Sequence, residues 1–149
     1  MLNIYLLRHG ETAWNAAGNK YCGRTDILLT EKGIAQAENV RMPLKDLAIS
    51  KVYSSPLQRA LETARITSGQ KNIITDERLI EIDFGKWEGK TRKEFIREDS
   101  TLWNHWEKDP ITVHAGGTGE SAHQITQRLD SFYSSLTSTE NKNIMVVGH

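Results

Sequence analysis

The sequence predicts an α/β protein, a three-layer α/β/α sandwich on a mainly parallel central sheet. Four apolar runs, starting at residues 2, 49, 72 and 143, alternate with segments that carry helix caps or helical apolar spacing. Strands alternating with helices require right-handed crossovers, which bury a parallel sheet under helices on both faces. The chain has 149 residues, enough for one domain with one core and too few for two. No Pro-rich or Gly/Ser-rich linker, low-complexity tract or internal repeat divides it, so residues 1–149 read as a single domain.

Leu2-Asn3-Ile4-Tyr5-Leu6-Leu7 is compact and apolar, the composition of a buried strand. Residues 8–29 are polar and irregular. Thr30 then caps a helix with Ile34, Ala37 and Val40 on one face. Pro43 lacks the N–H that helix propagation needs, so it interrupts this helix before a short second piece through Leu47. Ile49 to Ser54 is the second strand. Ser55, Pro56 and Gln58 then occupy the N-cap, N1 and N3 positions of a capping box, opening a helix that buries Leu57, Ala60, Leu61, Ala64 and Ile66 and ends near Gly69. Asn72 to Thr75 is the third strand. Residues 76–119 are the least regular. Within them Thr91 with Glu94 spells another capping box, Trp103 and Trp106 share one face of a short amphipathic helix, and Gly116-Gly117-Thr118-Gly119 marks a loop. From Ser121 a helix repeats Ala122, Ile125, Leu129, Phe132 or Tyr133, and Leu136; Asn143 to Val147 is the last strand.

Nineteen Lys plus Arg balance 19 Asp plus Glu, so no bulk field draws the chain to nucleic acid or an anionic membrane, and any anion site must be local. Lys86, Lys90, Arg92, Lys93 and Arg97 resemble a basic patch, but Glu88, Glu94, Glu98 and Asp99 interleave with them as on a solvated face. With one cysteine, Cys22, an internal disulfide and a Cys-based zinc site are excluded, and with no signal peptide or long apolar run the chain reads as soluble and cytoplasmic. His105, His114 and His123 have no regular metal-ligand spacing, so no metal or other cofactor is expected.

In open parallel sheets, ligands gather beyond the carboxyl ends of the strands, where helix N-termini also point free N–H groups. Strand one ends in Arg8-His9-Gly10, strand two in Ser54-Ser55 with Arg59 in the next helix turn, and the last strand in Gly148-His149. Two arginines and two histidines are thereby aimed at one edge, a setting for a dianionic phosphoryl group, which arginine grips through paired donors. Arg59 could instead be a surface cation pairing with Glu62, but a cation opposes the dipole at a helix N-terminus, which argues for a bound anion. A neutral imidazole can attack phosphorus, and the second histidine with the arginines can neutralise the equatorial oxygens. The leaving oxygen needs a proton; Glu77, Glu81, Asp83 and Glu88 are candidates that spacing alone does not separate.

The stretch from Leu6 to Asn15 resembles the signature of the histidine phosphatase superfamily, with its phosphoglycerate mutase-like fold. Gly23 to Gly33, Ser54 to Ala64, Leu79 to Gly89, Gly119-Glu120-Ser121 and Val146 to His149 resemble the blocks that follow, in the same order, so the resemblance spans nearly the whole chain. It implies that His9 forms a phosphohistidine with Arg8, Arg59 and His149 around the phosphate. It further implies that Glu81 is the proton donor and that Asn15 and the backbone near Cys22 and Gly23 touch the phosphate or its ester. Asp83-Phe84-Gly85-Lys86-Trp87-Glu88-Gly89 is similar to the phosphatase branch, in which water accepts the phosphoryl group. Trp103 and Trp106 followed by the Gly-rich loop are similar to alpha-ribazole phosphatases of cobalamin synthesis, although packing in the core is the simpler role for them. The expected partner is a small phosphate ester; a mutase or bisphosphatase, and a phosphate-binding module without turnover, are the alternatives. The family continues past the second histidine, so the chain reads as C-terminally incomplete. A terminal carboxylate on His149 would repel substrate and weaken turnover.

Overall fold

The computed structural model describes residues 1–136 and 142–149. In chain order these form β1 (Leu2–Arg8), α1 (Ala13–Ala16), α2 (Glu31–Leu44), β2 (Ile49–Ser54), α3 (Gln58–Ser68), β3 (Ile74–Thr75), α4 (Arg92–Glu98), α5 (Ser100–Lys108), α6 (Ala122–Ser135) and β4 (Lys142–Gly148), with short 3₁₀ turns between. All strand pairs are parallel, in the order β1-β4-β2-β3, so the last strand is inserted between the first two. No helix among the described residues is long and apolar enough to cross a membrane.

Alternating residues of the central strands face opposite layers. Val52, Met145 and Val147 pack under Ala60 and Ala64 of α3, with Leu44 at the end of α2. Ile144 and Val146 meet Phe132 of α6 and Leu79. These are the three layers the alternation of elements implied. β1 lies at the sheet edge, with Ile4 37% and Leu6 65% exposed, where an all-buried strand was expected. A third cluster, Trp87, Phe95, Trp103 and Ala115, supports the irregular segment; Trp103 and half-buried Trp106 belong to it, as core.

The Thr30 and Thr91 caps form as expected, the second as a capping box, and Ser121 opens α6 with a capping box of its own. Of the alternatives at the end of α6, Phe132 is buried and Tyr133 exposed. Three expectations need correction. Pro43 sits inside the last turn of α2, which runs one residue further; so near the C-terminus it removes a single donor, and a 3₁₀ turn Lys45–Leu47 follows. The third strand shrinks to Ile74–Thr75. The Ser55 capping box does not form: α3 starts at Gln58, whose N–H donates to Asp26 Oδ1 at 2.9 Å, because the Ser55 backbone instead prolongs the sheet, donating to Val147 O at 3.0 Å.

The turn after β1 crosses the first turn of α2 at backbone contact. A Cβ on Gly33 would lie 2.2 Å from Glu11 O, and one on Gly10 would lie 2.4 Å from Gly33 O. Helix propensity alone would reward Gly33→Ala with up to about 1 kcal/mol. Here the obstructing atoms are backbone and cannot rotate away, so a net loss of about 1–3 kcal/mol is expected. A thermal melt should show Tm lower by several degrees; an unchanged Tm would mean the two segments can part without cost.

Candidate active site

The ladder continues past the strand ends and sets the site residues side by side. The His9 N–H donates to Gly148 O and the Ser55 N–H to Val147 O, each at 3.0 Å. His9 and His149, ending adjacent parallel strands, therefore face each other with ring centroids 5.1 Å apart. His9 Nδ1 lies 2.7 Å from Gly10 O. A carbonyl only accepts, so Nδ1 carries the proton and Nε2 keeps a free lone pair. The cleft in front, of about 370 Å³, is bordered by Arg8, His9, Asn15, Cys22, Glu81 and Phe84, among others.

Arg59 is completely buried in the first turn of α3. Its Nη1 donates to Thr25 O at 2.9 Å and its Nη2 to Gly23 O at 2.7 Å, while Nε has no partner among the described residues. It does not pair with Glu62; two carbonyls fix the guanidinium plane and one buried donor is left over. Arg8 is exposed at the rim of the cleft. In the α1 capping box the Asn15 Oδ1 accepts from the Thr12 N–H and hydroxyl, which leaves the Asn15 amide NH₂ for a ligand. Cys22 is buried beside the cleft, and the Gly23 carbonyl is engaged by Arg59, so only its N–H remains to contact an ester.

The four candidate acids separate by their hydrogen bonds and by their exposure. Glu88 accepts from the N–H groups of Arg24 and Thr25 and from the Thr25 hydroxyl at 2.6 Å, clamping the loop whose carbonyls hold Arg59. Gly23 has φ +52°, and a Cβ there would sit 1.9 Å from Glu88 Oε1, so only glycine allows this clamp. Asp83 caps the following turn through Gly85 N–H, and Glu77 is exposed in its own turn. Glu81 alone borders the cleft, with Oε1 accepting from Ile82 N–H at 2.9 Å and Oε2 3.8 Å from His149 Nδ1.

Burial sets the protonation states. It lowers His9 to about 4 against the favourable Gly10 bond, with Arg59 and Arg8 adding to the depression. Burial, then Arg59, lowers His149 to about 2. Burial raises the Glu81 carboxyl above its ordinary 4.5, opposed by its bond to Ile82 N–H and by Arg59, Arg8 and Arg128. The 3.8 Å approach of Glu81 to His149 is therefore not an ion pair at neutral pH, because the imidazole is uncharged.

Sequence reasoning missed two groups here. The Ser55 hydroxyl lies 2.8 Å from His149 Nε2. Glu120 accepts from Arg128 Nε and Nη2 at 3.1 and 3.2 Å, from Asp83 N–H at 3.0 Å, and meets Arg24 at 3.1 Å, tying the Glu81 loop to α6 and to the loop after β1. The Gly119-Glu120-Ser121 block pointed at this position without stating what it does. His105, His114 and His123 are exposed, and His114 Nδ1 bonds Gly119 O at 2.6 Å. Arg92 pairs with Glu107 and Lys90 with Glu98, as on a solvated face.

Comparison with known proteins bears on the family and the fold. The model of the histidine phosphatase superfamily (branch 1) matches residues 4–149. Phosphoserine phosphatase 1 of Hydrogenobacter thermophilus is 33% identical, over 100% of this chain and 71% of its own length. The 2,3-bisphosphoglycerate-dependent phosphoglycerate mutase of Thermoplasma acidophilum is 38% identical over 76% of this chain and 65% of its own. The alpha-ribazole phosphatase structure from Shigella flexneri superposes with a TM-score of 0.87 at 32% identity, covering 98% of this chain and 73% of that one. The chain belongs to the histidine phosphatase superfamily, branch 1.

Proposed function

We propose that the protein is a metal-independent phosphomonoesterase that works through a phosphohistidine on His9. One observation carries the reading: His9, its Nδ1 pinned by Gly10 O, borders with a free Nε2 lone pair a cleft that Arg8, Asn15 and Glu81 also line, while the buried Arg59, close enough to depress the protonation of His9, keeps a donor without a partner among the described residues. Arg8, Arg59, His149 and Asn15 hold the phosphoryl oxygens, with the Gly23 N–H beside them. His9 Nε2 forms the P–N bond as the ester P–O bond breaks, and Glu81 gives its proton to the departing oxygen. The Glu81 carboxylate then takes a proton from water as the water oxygen attacks phosphorus, the P–N bond breaks and phosphate leaves. The cationic groups supply the charge neutralisation this transfer needs.

For the substrate we propose alpha-ribazole 5′-phosphate, which sets the protein in cobalamin synthesis in the cytoplasm. Support comes from the similarity to the Shigella flexneri enzyme and from the edge-on pair Tyr21 and Phe84, 4.6 Å apart on the cleft wall, which offers a face to an aromatic base. Trp103 and Trp106 do not contribute, since they pack in the core. A mutase or bisphosphatase is the second reading, favoured by Lys20 in the same wall, which would suit a second anionic group.

Phosphate release from alpha-ribazole 5′-phosphate, phosphoserine and 3-phosphoglycerate, with and without EDTA, tests both levels. Hydrolysis indifferent to EDTA, with the highest kcat/KM for alpha-ribazole 5′-phosphate, is expected. Transfer that needs a bisphosphorylated primer would establish the mutase. Binding of vanadate with no turnover of any ester would refute the enzyme.

A further inference from the structure

We infer that Ser55 is a positioning residue: its hydroxyl holds His149 in the tautomer whose Nδ1 carries the proton and turns that N–H toward the phosphoryl group. The part played by the phosphoryl group rests on the proposed function; the tautomer does not. Ser55 is completely buried, and its Oγ has two hydrogen-bond neighbours among the described residues: the Leu57 N–H at 3.3 Å, which can only donate to it, and His149 Nε2 at 2.8 Å. The hydroxyl has one proton to give. If His149 Nε2–H were the donor, that proton would have no acceptor among the described residues, a costly arrangement away from water. Ser55 therefore donates to Nε2. The His149 ring, neutral because burial and Arg59 depress its protonation, then carries its one hydrogen on Nδ1.

That atom has no hydrogen-bond partner among the described residues; its side chain is 3% exposed, with Glu81 Oε2 3.8 Å from Nδ1 and the His9 ring centroid 5.1 Å from its own. Three buried polar side-chain atoms lack a partner among the described residues: Arg59 Nε, His149 Nδ1 and Trp106 Nε1. The first two belong to residues that flank the His9 nucleophile, as donors awaiting an anion would. The opposite tautomer would present a lone pair to a phosphoryl oxygen and replace attraction by repulsion.

The test is ¹⁵N-histidine NMR of the whole protein with Ser55→Ala and Ser55→Thr, the His149 signal being identified by its loss in His149→Asn. The wild type and Ser55→Thr should show a protonated Nδ1 and an accepting Nε2; Ser55→Ala should shift His149 toward the Nε2–H form. In parallel kcat should fall on the order of 10²-fold in Ser55→Ala, as when one transition-state donor is lost, with KM changed far less and with recovery in Ser55→Thr. An Nε2–H tautomer in the wild type, or an unaltered tautomer in a folded Ser55→Ala, would overturn the inference. The wild-type spectrum decides the tautomer even if Ser55→Ala does not fold. If no ester is hydrolysed but the NMR result holds, the phosphatase reading fails and the positioning role of Ser55 stands.

Discussion

His9→Ala is expected to remove turnover, with kcat reduced at least about 10⁴-fold, or about 5.5 kcal/mol of transition-state stabilisation. The expectation distinguishes the two histidines, which composition alone treats as equivalent. His149 cannot serve as nucleophile in this arrangement: its Nε2 is held by Ser55, and its Nδ1 is the proton-bearing atom of the tautomer inferred above. His9 Nε2 is free, and at neutral pH the ring is unprotonated because its pKa lies at about 4. Rapid-quench labelling with a ³²P ester should trap base-stable, acid-labile phosphate on the wild type and, more slowly, on His149→Asn, but not on His9→Ala. Vanadate binding should survive in His9→Ala, since Arg59 and Asn15 remain. Label persisting in His9→Ala would remove His9 from the nucleophile role, whatever happened to the rate.

The parts of this site legible in the sequence are those that topology delivers. A parallel sheet brings the C-terminal ends of its strands to one edge, so Arg8, His9 and His149 converge whatever the details of the connections. Arg59 follows because α3 begins a few residues beyond a strand end. The acid was not separable by spacing, since Glu77, Glu81, Asp83 and Glu88 lie in irregular backbone, where no period fixes orientation. What distinguishes them is which N–H groups each carboxylate captures, a tertiary fact: Glu88 clamps Arg24 and Thr25 across the site. Ser55 was misread for a related reason. Its local pattern is that of a helix cap, and only the inserted strand β4 supplies what holds it otherwise, Val147 O for its N–H and His149, 94 residues away in sequence, for its hydroxyl proton. The exposed face of β1 has the same origin, since Leu2 to Leu7 reads as a buried strand and nothing local reveals that it ends at the sheet edge.

Glu81→Gln tests the other half of the chemistry, and its effect should depend on the leaving group. An alkoxide needs a proton as the ester bond breaks, so with an alkyl phosphate kcat should fall about 10²- to 10⁴-fold, the usual range for a lost general acid. p-Nitrophenyl phosphate releases a stable phenolate and should lose much less in the step that forms the phosphoenzyme. The pH profile follows from the same group. Glu81 must hold its proton to act, and burial raises its pKa, so the first step slows as pH rises through that raised value. A bound phosphate dianion offsets Arg59 and Arg8, two of the influences opposing the rise, and moves this limb further toward neutrality. On the acid side His9 must be unprotonated, and its depression to about 4 keeps it so until well below the ordinary histidine range. The single-turnover rate with an alkyl ester should therefore hold between these limits and decline on the alkaline side, and Glu81→Gln should lose that alkaline decline while keeping the acid one. Equal losses with both esters, or an alkaline limb that survives the substitution, would assign the proton to another group, and of the four candidate acids only Glu81 borders the cleft.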